Sequence, residues 1–123
     1  MAQRRIVRKH EASEKGVGDT VVREYFVQIV PNLGLATATV NGTYPPENEG
    51  NWAINERVDE MYYVLGGAGK IIYQDGDTIQ LEPESAAYIP RGLKYRVEEA
   101  RDLRVVIPTG PAWSADQHKW CAD

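Results

Sequence analysis

The chain has 123 residues, of which 42% are hydrophobic and 26% are charged, a composition typical of a globular domain and unlike that of a disordered or collagen-like chain. Its formal net charge of -4 argues against a nucleic-acid partner, because binding to phosphates requires a basic surface. We therefore expect one domain over residues 1–123 that does not bind nucleic acid.

Cysteine content and hydropathy bear on the compartment. Cys121 is the only cysteine, so no disulfide can form within the chain, and a reducing compartment fits best. No apolar run approaches the roughly 20 residues that span a bilayer, and the first residues are polar rather than signal-like. We expect a cytoplasmic protein without membrane attachment. The basic cluster of Arg4, Arg5, Arg8 and Lys9 is interrupted by apolar residues, which predicts a solvated strand face.

Short apolar runs rich in Val, Ile and Tyr, separated by Gly, Pro, Asn and Asp, predict many short strands. The candidate strands cover residues 5–9, 21–30, 35–44, 53–56, 60–65, 69–74, 78–81, 86–89, 95–97 and 103–107. Gly66-Gly67 and Asp75-Gly76-Asp77 each predict a hairpin turn, because glycine and Asp-Gly supply the positive φ of tight turns. No long segment has apolar residues at helical spacing, so the predicted fold is all-β, an antiparallel sandwich or barrel.

Two ordered motifs resemble those of the cupin family. They are Asp59-Glu60 with Tyr63-Val64-Leu65-Gly66-Gly67, and Ile89-Pro90-Arg91-Gly92. The similarity covers residues 37–113, most of the chain. It implies a cupin-type double-stranded β-helix, or jelly-roll barrel. Ser114 and Gln117 have the spacing of a capping box, which adds a short C-terminal helical turn.

The resemblance also identifies the positions at which metal-dependent cupins hold a cation. The histidine positions of the motifs fall on Ala53, Asn55 and Tyr95 in this chain. Amides and phenols are poor substitutes for imidazole on transition metals, although oxygen donors hold harder ions such as Mg²⁺ or Ca²⁺ weakly. The two histidines of the chain, His10 and His118, lie outside both motifs. We therefore predict a metal-independent protein with no cofactor.

The resemblance implies that Asn55, Glu60 and Tyr95 converge inside the barrel. Alternate residues of a strand share a face, so Tyr62 is expected inside with Glu60. A buried Glu60 without a metal either becomes protonated, as a candidate general acid or base, or pairs with a cation or with water. Tyr95 either orients a ligand through its hydroxyl or packs in the core with that hydroxyl satisfied.

Three further side chains have two interpretations each. Asn55 is either a polar pocket residue or a turn residue before the acidic segment 56–60. Trp52 either stacks on a ligand or packs as a strand-edge aromatic, which is the more common outcome. Small cupins often end in a Pro-x-Trp segment, which implies a tail folded over the barrel with His118 at its mouth, able to exchange a proton. The alternative, which we favour, is a surface helix anchored by Trp113 with His118 exposed.

These residues leave three functions open. The first is a binding module that holds a sugar or a carboxylic acid through Trp52, Asn55, Glu60, Tyr62 and Tyr95. The second is an isomerase, epimerase or lyase in which Glu60 removes a proton beside a carbonyl, while Tyr95 or His118 returns one or stabilises the enolate. The third is a structural or partner-binding barrel.

The barrel interior distinguishes these functions. An open pocket with a desolvated Glu60 beside Tyr95 favours the enzyme, Glu60 paired with a basic residue favours binding alone, and a filled barrel favours the third function. Cupins of this size usually pair through a sheet edge or exchange an N-terminal strand. Residues 3–9 are a suitable donor, so we expect a homodimer.

Overall fold

The computed structural model describes residues 5–27 and 29–123, which form one curled antiparallel sheet. Its strands are β1 (Ser13–Val17), β2 (Thr20–Tyr25), β3 (Gly34–Tyr44), β4 (Trp52–Asn55), β5 (Asp59–Tyr73), β6 (Thr78–Leu81), β7 (Ala86–Ile89), β8 (Tyr95–Gly110) and β9 (His118–Cys121). Within the described ranges the helical elements are two 3₁₀ turns, at Lys9–Glu11 and Ala115–Gln117, and neither could cross a membrane. The predicted all-β fold is confirmed.

Two long strands, β5 and β8, join the two walls of the barrel. The sheet runs β1-β2-β3-β8-β4-β9, and β5 pairs with β8 along most of its length while also pairing with β6 and β7. Each long strand therefore contributes to both walls, and the sheet closes around an interior. The inward side chains of this interior decide where the barrel is filled and where it stays open.

A bulge in β5 lies where the sequence predicted a hairpin at Gly66-Gly67. Before the bulge the buried side chains have even numbers, as in Val64, and after it they have odd numbers, as in Ile71. An extra residue in one strand reverses the faces of the residues that follow, so both halves of β5 turn apolar groups inward. The predicted strands 60–65 and 69–74 are parts of one strand, and the prediction of a turn between them was wrong.

Several other predicted boundaries also change. The predicted strands 95–97 and 103–107 are both part of β8, which continues through Glu99 and Asp102 with φ values of 55° and 47°. The strand predicted at residues 5–9 does not form, and the strand predicted at 21–30 ends at Tyr25. The sequence did not predict β1 or β9. Arg4 of the basic cluster, Gln28 and residues 3–4 of the proposed donor lie outside the described residues. The hairpin at Asp75-Gly76-Asp77 is confirmed.

Large apolar side chains fill one part of the barrel and small ones leave the other part open. Val64, Ile71, Val97 and Leu103 are completely buried and pack together away from the cavity described below. Burial of each such side chain contributes about 1.5–3 kcal/mol, so this filled region stabilises the fold. Where β3 instead turns alanines inward, space remains for a ligand.

The bulge at Gly67 can be tested by comparing two glycines with similar backbones. Gly67 has φ of 81°, and a Cβ there would overlap the carbonyl oxygen of Asp102, whereas Gly42 has φ of 77° and open space around it. We expect Gly42→Ala to destabilise the fold by about 1 kcal/mol through backbone strain alone. Gly67→Ala should lower the free energy of unfolding by about 1–3 kcal/mol more than Gly42→Ala does, because backbone atoms must move to make room for the Cβ. Urea unfolding measures both, and equal losses would contradict the close approach.

Candidate functional site

The open part of the barrel is a cavity of about 130 Å³, large enough to hold several water molecules. Ala36 and Ala38 of β3 line it, and their small side chains leave this space unfilled. Its buried polar wall includes Glu60, Tyr62, Tyr95 and Thr109. Its more exposed residues are Lys15, Val27, Leu33 and Leu35. A small ligand entering here meets apolar residues and Lys15 at the rim and uncharged and acidic polar groups inside.

Glu60 is the buried acid of this wall. It lies opposite Ile89 of β7 and Thr109 of β8, which turns its side chain inward, where it is 6% exposed. The Tyr95 hydroxyl donates a hydrogen bond to Glu60 Oε1 at 3.2 Å. Burial raises the pKa of Glu60 to about 7, and hydrogen bonding to Tyr95 and Asn55 opposes this only partly. In the described part of the chain no lysine or arginine forms an ion pair with Glu60.

Two phenols accompany Glu60 inside the barrel. Tyr62 lies two residues further along β5 on the same face, and Tyr95 begins β8. Burial, and then the charge of Glu60, raise the pKa of both tyrosines well above the usual value. Both hydroxyls therefore remain protonated and can donate hydrogen bonds beside a carboxyl group that gains and loses its proton near neutral pH.

The C-terminal tail folds back over the barrel, so the favoured prediction of a surface helix with an exposed His118 was wrong. β9 pairs with β4, which sets His118 opposite Asn55 and Trp120 opposite Ala53. Directly opposite residues share a face of the sheet, so both rings turn inward and line the cavity. The helical turn is a single 3₁₀ turn, and Ser114 makes no side-chain capping bond.

Asn55 fixes the tail in this position. Its Oδ1 lies 3.3 Å from Trp113 Nε1, 3.1 Å from Gln117 Nε2 and 2.8 Å from His118 Nδ1. The side chain is completely buried. Its amide nitrogen lies near enough to Glu60 to lower that pKa, but it has no hydrogen bond of good geometry within the described residues. Asn55 is therefore a buried polar residue and not a turn residue.

Both ring nitrogens of His118 have partners. Nδ1 faces Asn55, and Nε2 lies 2.7 Å from the hydroxyl of Tyr44, which Trp120 Nε1 approaches at 3.3 Å. Burial, and to a smaller extent the charge of Lys15, lower the pKa of His118 to about 4. The imidazole is therefore neutral at neutral pH, and with both nitrogens engaged it is less available for proton exchange than the sequence suggested.

Trp52 lies apart from these groups. It occupies the face of β4 opposite to Ala53 and Asn55, and the guanidinium carbon of Arg96 lies 4.5 Å from its ring centroid. It does not line the cavity, so this position gives no support to the predicted stacking on a ligand. The fold thus brings Glu60, Tyr62 and Tyr95 together, with Asn55 and His118 beside them, and leaves Trp52 outside.

Sequence reasoning missed three polar residues of this region. Tyr44 and Thr109 line the cavity, and Gln117 is completely buried beneath the tail. Strand periodicity could have found the first two. Inward positions alternate along β3 toward Tyr44, and the inward series at 103, 105 and 107 continues to Thr109. Thr109 Oγ1 is buried without a hydrogen-bond partner among the described residues.

The residues present do not fit a bound cation. The described part of the chain has no group of three or more His, Cys, Asp or Glu side chains able to hold a metal ion. At the positions that the resemblance associates with metal ligands, the Ala53 side chain has no atom that could coordinate a cation. The side-chain oxygen of Asn55 already accepts hydrogen bonds from three N–H groups. Tyr95 is a protonated phenol that donates to Glu60.

A family model described as a cupin domain matches residues 41–107. The chain belongs to the cupin family. No curated protein matches this cupin by sequence. Its structure is similar to that of a Tyr-to-Phe variant of Pac13 from Streptomyces with uridine, with a TM-score of 0.82 and 13% identity, covering 98% of this chain and 93% of that one.

Two further solved structures share the fold. For KdgF from Halomonas sp. the TM-score is 0.65 with 20% identity, covering 89% of this chain and 94% of that one. For ectoine synthase from P. lautus the TM-score is 0.66 with 13% identity, and the match covers 82% of this chain and 70% of that one. At these identities the likeness shows the fold alone, and the cupin barrel predicted from the motifs is confirmed.

The buried state of Glu60 predicts an unusual dependence of stability on pH. Its pKa is about 7 in the fold against an ordinary value of 4.5, so between these pH values the folded state binds more protons than the unfolded state. Stability contributed by this group is therefore lost as pH rises through that window. Because Gln carries no such proton, the unfolding free energy of the wild type relative to Glu60→Gln should fall by about 3 kcal/mol from pH 4.5 to about 8.

Chemical denaturation across this range provides the measurement, with Glu47→Gln as the matched control because Glu47 is exposed and outside the cavity. His118 changes stability in the opposite direction, since its lowered pKa makes the fold lose stability as pH falls from 6.5 toward about 4. Comparing variants at each pH removes this contribution. A constant difference between the wild type and Glu60→Gln would show that Glu60 is ionised normally in the fold.

Proposed function

We propose that this cupin is a metal-independent enzyme of the isomerase, epimerase or lyase type, which moves a proton beside a carbonyl group of a small hydroxylated ligand. One observation carries the proposal. Glu60 is a desolvated carboxyl group in an open cavity, with a pKa of about 7 and with no ion-pair partner in residues 5–27 and 29–123. A group whose pKa lies near the working pH is the most effective general acid or base.

The proposed reaction begins when ionised Glu60 removes a proton from the carbon beside the carbonyl. The electron pair of that C–H bond forms a C=C bond while the π pair of the carbonyl moves onto its oxygen. The Tyr62 hydroxyl stabilises the resulting enolate by hydrogen bonding, joined by the Tyr95 hydroxyl once it turns away from protonated Glu60. In an isomerisation protonated Glu60 then gives the proton to the neighbouring carbon, while the proton of the adjacent hydroxyl passes to the former carbonyl oxygen. In an epimerisation the Tyr95 hydroxyl instead protonates the original carbon from the opposite face and regains a proton from Glu60, its hydrogen-bond partner. In a lyase protonated Glu60 instead protonates a departing hydroxyl group, which leaves as water.

The arrangement of the cavity favours catalysis over the two alternatives. Binding without catalysis is best served by a carboxylate held in one charge state by a cation, and Glu60 lacks one within the described ranges. A purely structural barrel has no need for a cavity of about 130 Å³ lined by a buried acid and phenols. We leave His118 out of the proton transfer because both of its nitrogens are engaged.

The comparisons indicate which ligands to test first. Pac13 is described as a nucleoside dehydratase, and its structures with uridine include variants in which a tyrosine or a histidine was replaced. Dehydration is the elimination of water, the lyase form of the reaction proposed above. Nucleosides, hydroxylated sugars and hydroxy acids are therefore the first candidate ligands.

Exchange of carbon-bound protons with solvent tests the proposal even while the product is unidentified. We expect the wild-type protein in D₂O to exchange the proton beside the carbonyl in at least one member of a panel of aldoses, ketoses, hydroxy acids and nucleoside derivatives, followed by NMR. Glu60→Gln should slow this exchange by about 10²–10⁴-fold, because it removes the base. The rate should rise as pH increases through about 7, where Glu60 ionises.

Glu47→Gln serves as the control and should exchange at the wild-type rate. EDTA treatment should leave the rate unchanged, and loss of activity that returned on adding a metal would contradict metal independence. A co-purified ligand that is released chemically unchanged, with no exchange across the panel, would favour the binding module instead.

We also propose that the protein is cytoplasmic, as its single cysteine suggests, and that it forms a homodimer. Residues 5–9 form no strand within a single copy, so pairing through them would need the sheet edge of a second copy, and the outer face of β5 offers a further surface. Met61, Tyr63 and Leu65 are exposed on the outer face of β5, and Tyr88 lies opposite Met61 on β7. A contiguous apolar surface of this kind often marks a protein contact, and a second copy could cover it.

A charge within this surface should separate the subunits. We expect Tyr63→Lys to convert the dimer to a monomer, because a buried unpaired ammonium group opposes association. Ile79→Lys, on an exposed residue of β6 away from this surface, is the matched control and should remain dimeric. Analytical ultracentrifugation measures both masses. A monomeric wild-type protein would contradict the proposal.

A further inference from the structure

The hydrogen bonds around Asn55 fix the identity of its side-chain atoms. Trp113 Nε1 and Gln117 Nε2 both approach one atom of the Asn55 amide, at 3.3 Å and 3.1 Å. An indole N–H and an amide NH₂ can only donate, so the atom between them must accept. It is therefore the amide oxygen, and the opposite orientation of the amide would set donors against donors.

This assignment determines the position of the proton on His118. Nδ1 lies 2.8 Å from the same Asn55 oxygen, which can only accept, so Nδ1 carries the proton. A neutral imidazole has one N–H, and burial keeps this ring neutral by lowering its pKa to about 4. Its Nε2 therefore has a lone pair. The Tyr44 hydroxyl, 2.7 Å away, must donate its proton to that nitrogen.

The consequence for the cavity concerns Tyr44. Its proton is directed to His118, and Trp120 Nε1 donates to one of its two oxygen lone pairs at 3.3 Å. One lone pair remains. Tyr44 lines the cavity, so a ligand there meets an acceptor and not the usual hydroxyl donor. Thr109 Oγ1, buried in the same wall, has no partner in the described part of the chain and is available as a further contact.

We propose that Tyr44, held by His118 and Asn55 as positioning residues, selects ligands that offer a hydroxyl or amine hydrogen at this point of the cavity. A carbonyl or ether oxygen at the same place would oppose lone pair to lone pair and leave the second lone pair of Tyr44 without a donor. The ligand class is thus a small polyhydroxylated or amino compound. The inference depends on the proposed function only in taking this cavity as the ligand site.

The tautomer of His118 tests the network without any ligand. Long-range ¹H–¹⁵N NMR of labelled protein at neutral pH should show His118 protonated at Nδ1 only, with exposed His10 as an internal reference. Protonation at Nε2, or a charged ring, would overturn the inference. Because no turnover is measured, this result is independent of the proton-exchange assay, and either proposal can fail while the other stands.

Substitution of Tyr44 separates its role from those of its neighbours. In Tyr44→Phe we expect the Trp120 indole N–H signal to shift upfield because it loses its acceptor. The His118 tautomer should be unchanged, since Asn55 determines it. The indole of Trp52, which lies outside the network, is the control and should not move. An unshifted Trp120 signal would show that Tyr44 does not accept this hydrogen bond.

A pair of small probes tests selection directly, and it uses the wild-type protein whether or not Tyr44→Phe folds. Glycerol carries hydroxyl hydrogens, whereas 1,2-dimethoxyethane has a chain of similar size with acceptor oxygens only. At equal high concentrations glycerol should shift the Trp120 indole signal in proportion to its occupancy, and dimethoxyethane should not, with Trp52 again as the control. Equal shifts, a larger shift with dimethoxyethane, or no shift with either probe would each overturn the selection.

Discussion

The arrangement of this site depends on the three hydrogen bonds that converge on the side-chain oxygen of Asn55. Trp113, Gln117 and His118 all come from the tail, and all donate to that one atom. Loss of the acceptor would leave buried donors unpaired, at about 1–3 kcal/mol each. The tail would then keep its pairing with β4 but lose its fixed position beside Asn55, and the wall that Trp113 and Trp120 provide would be less well positioned. One buried amide thus couples closure of the barrel to the geometry inside it.

Burial shifts the pKa values of two titratable groups beside that amide in opposite directions, and in each group it favours the neutral form. It raises the pKa of Glu60 to about 7 and lowers that of His118 to about 4. Moving the proton from Glu60 to His118 would therefore be unfavourable by about 4 kcal/mol, so the two groups do not form an ion pair. The carboxyl group keeps the role of proton carrier, and the imidazole remains a fixed hydrogen-bonding group.

Local patterns predicted the parts of the fold that local geometry determines. The inward alternation of Glu60, Tyr62 and Val64 followed from strand periodicity, and the hairpin at Asp75-Gly76-Asp77 followed from turn chemistry. Gly66-Gly67 was misassigned because positive φ suits a bulge as well as a turn. The pairing of β4 with β9 sets Asn55 opposite His118, 63 positions further along the chain, and no local pattern encodes such a contact. The burial of Gln117, the partners of Tyr44 and the role of Asn55 all depended on this pairing.

That pairing also explains why the positions that the motif resemblance associates with metal ligands do not suit a cation. At one of them, Ala53 is small and lies opposite Trp120, whose ring enters the barrel from β9. At the next, the only side-chain acceptor atom of Asn55 is used by donors of the tail. A cation bound at Asn55 would need a free lone pair on the oxygen that the tail requires as an acceptor. Docking of the tail and binding of a metal therefore compete for the same wall, and in this chain the tail occupies it.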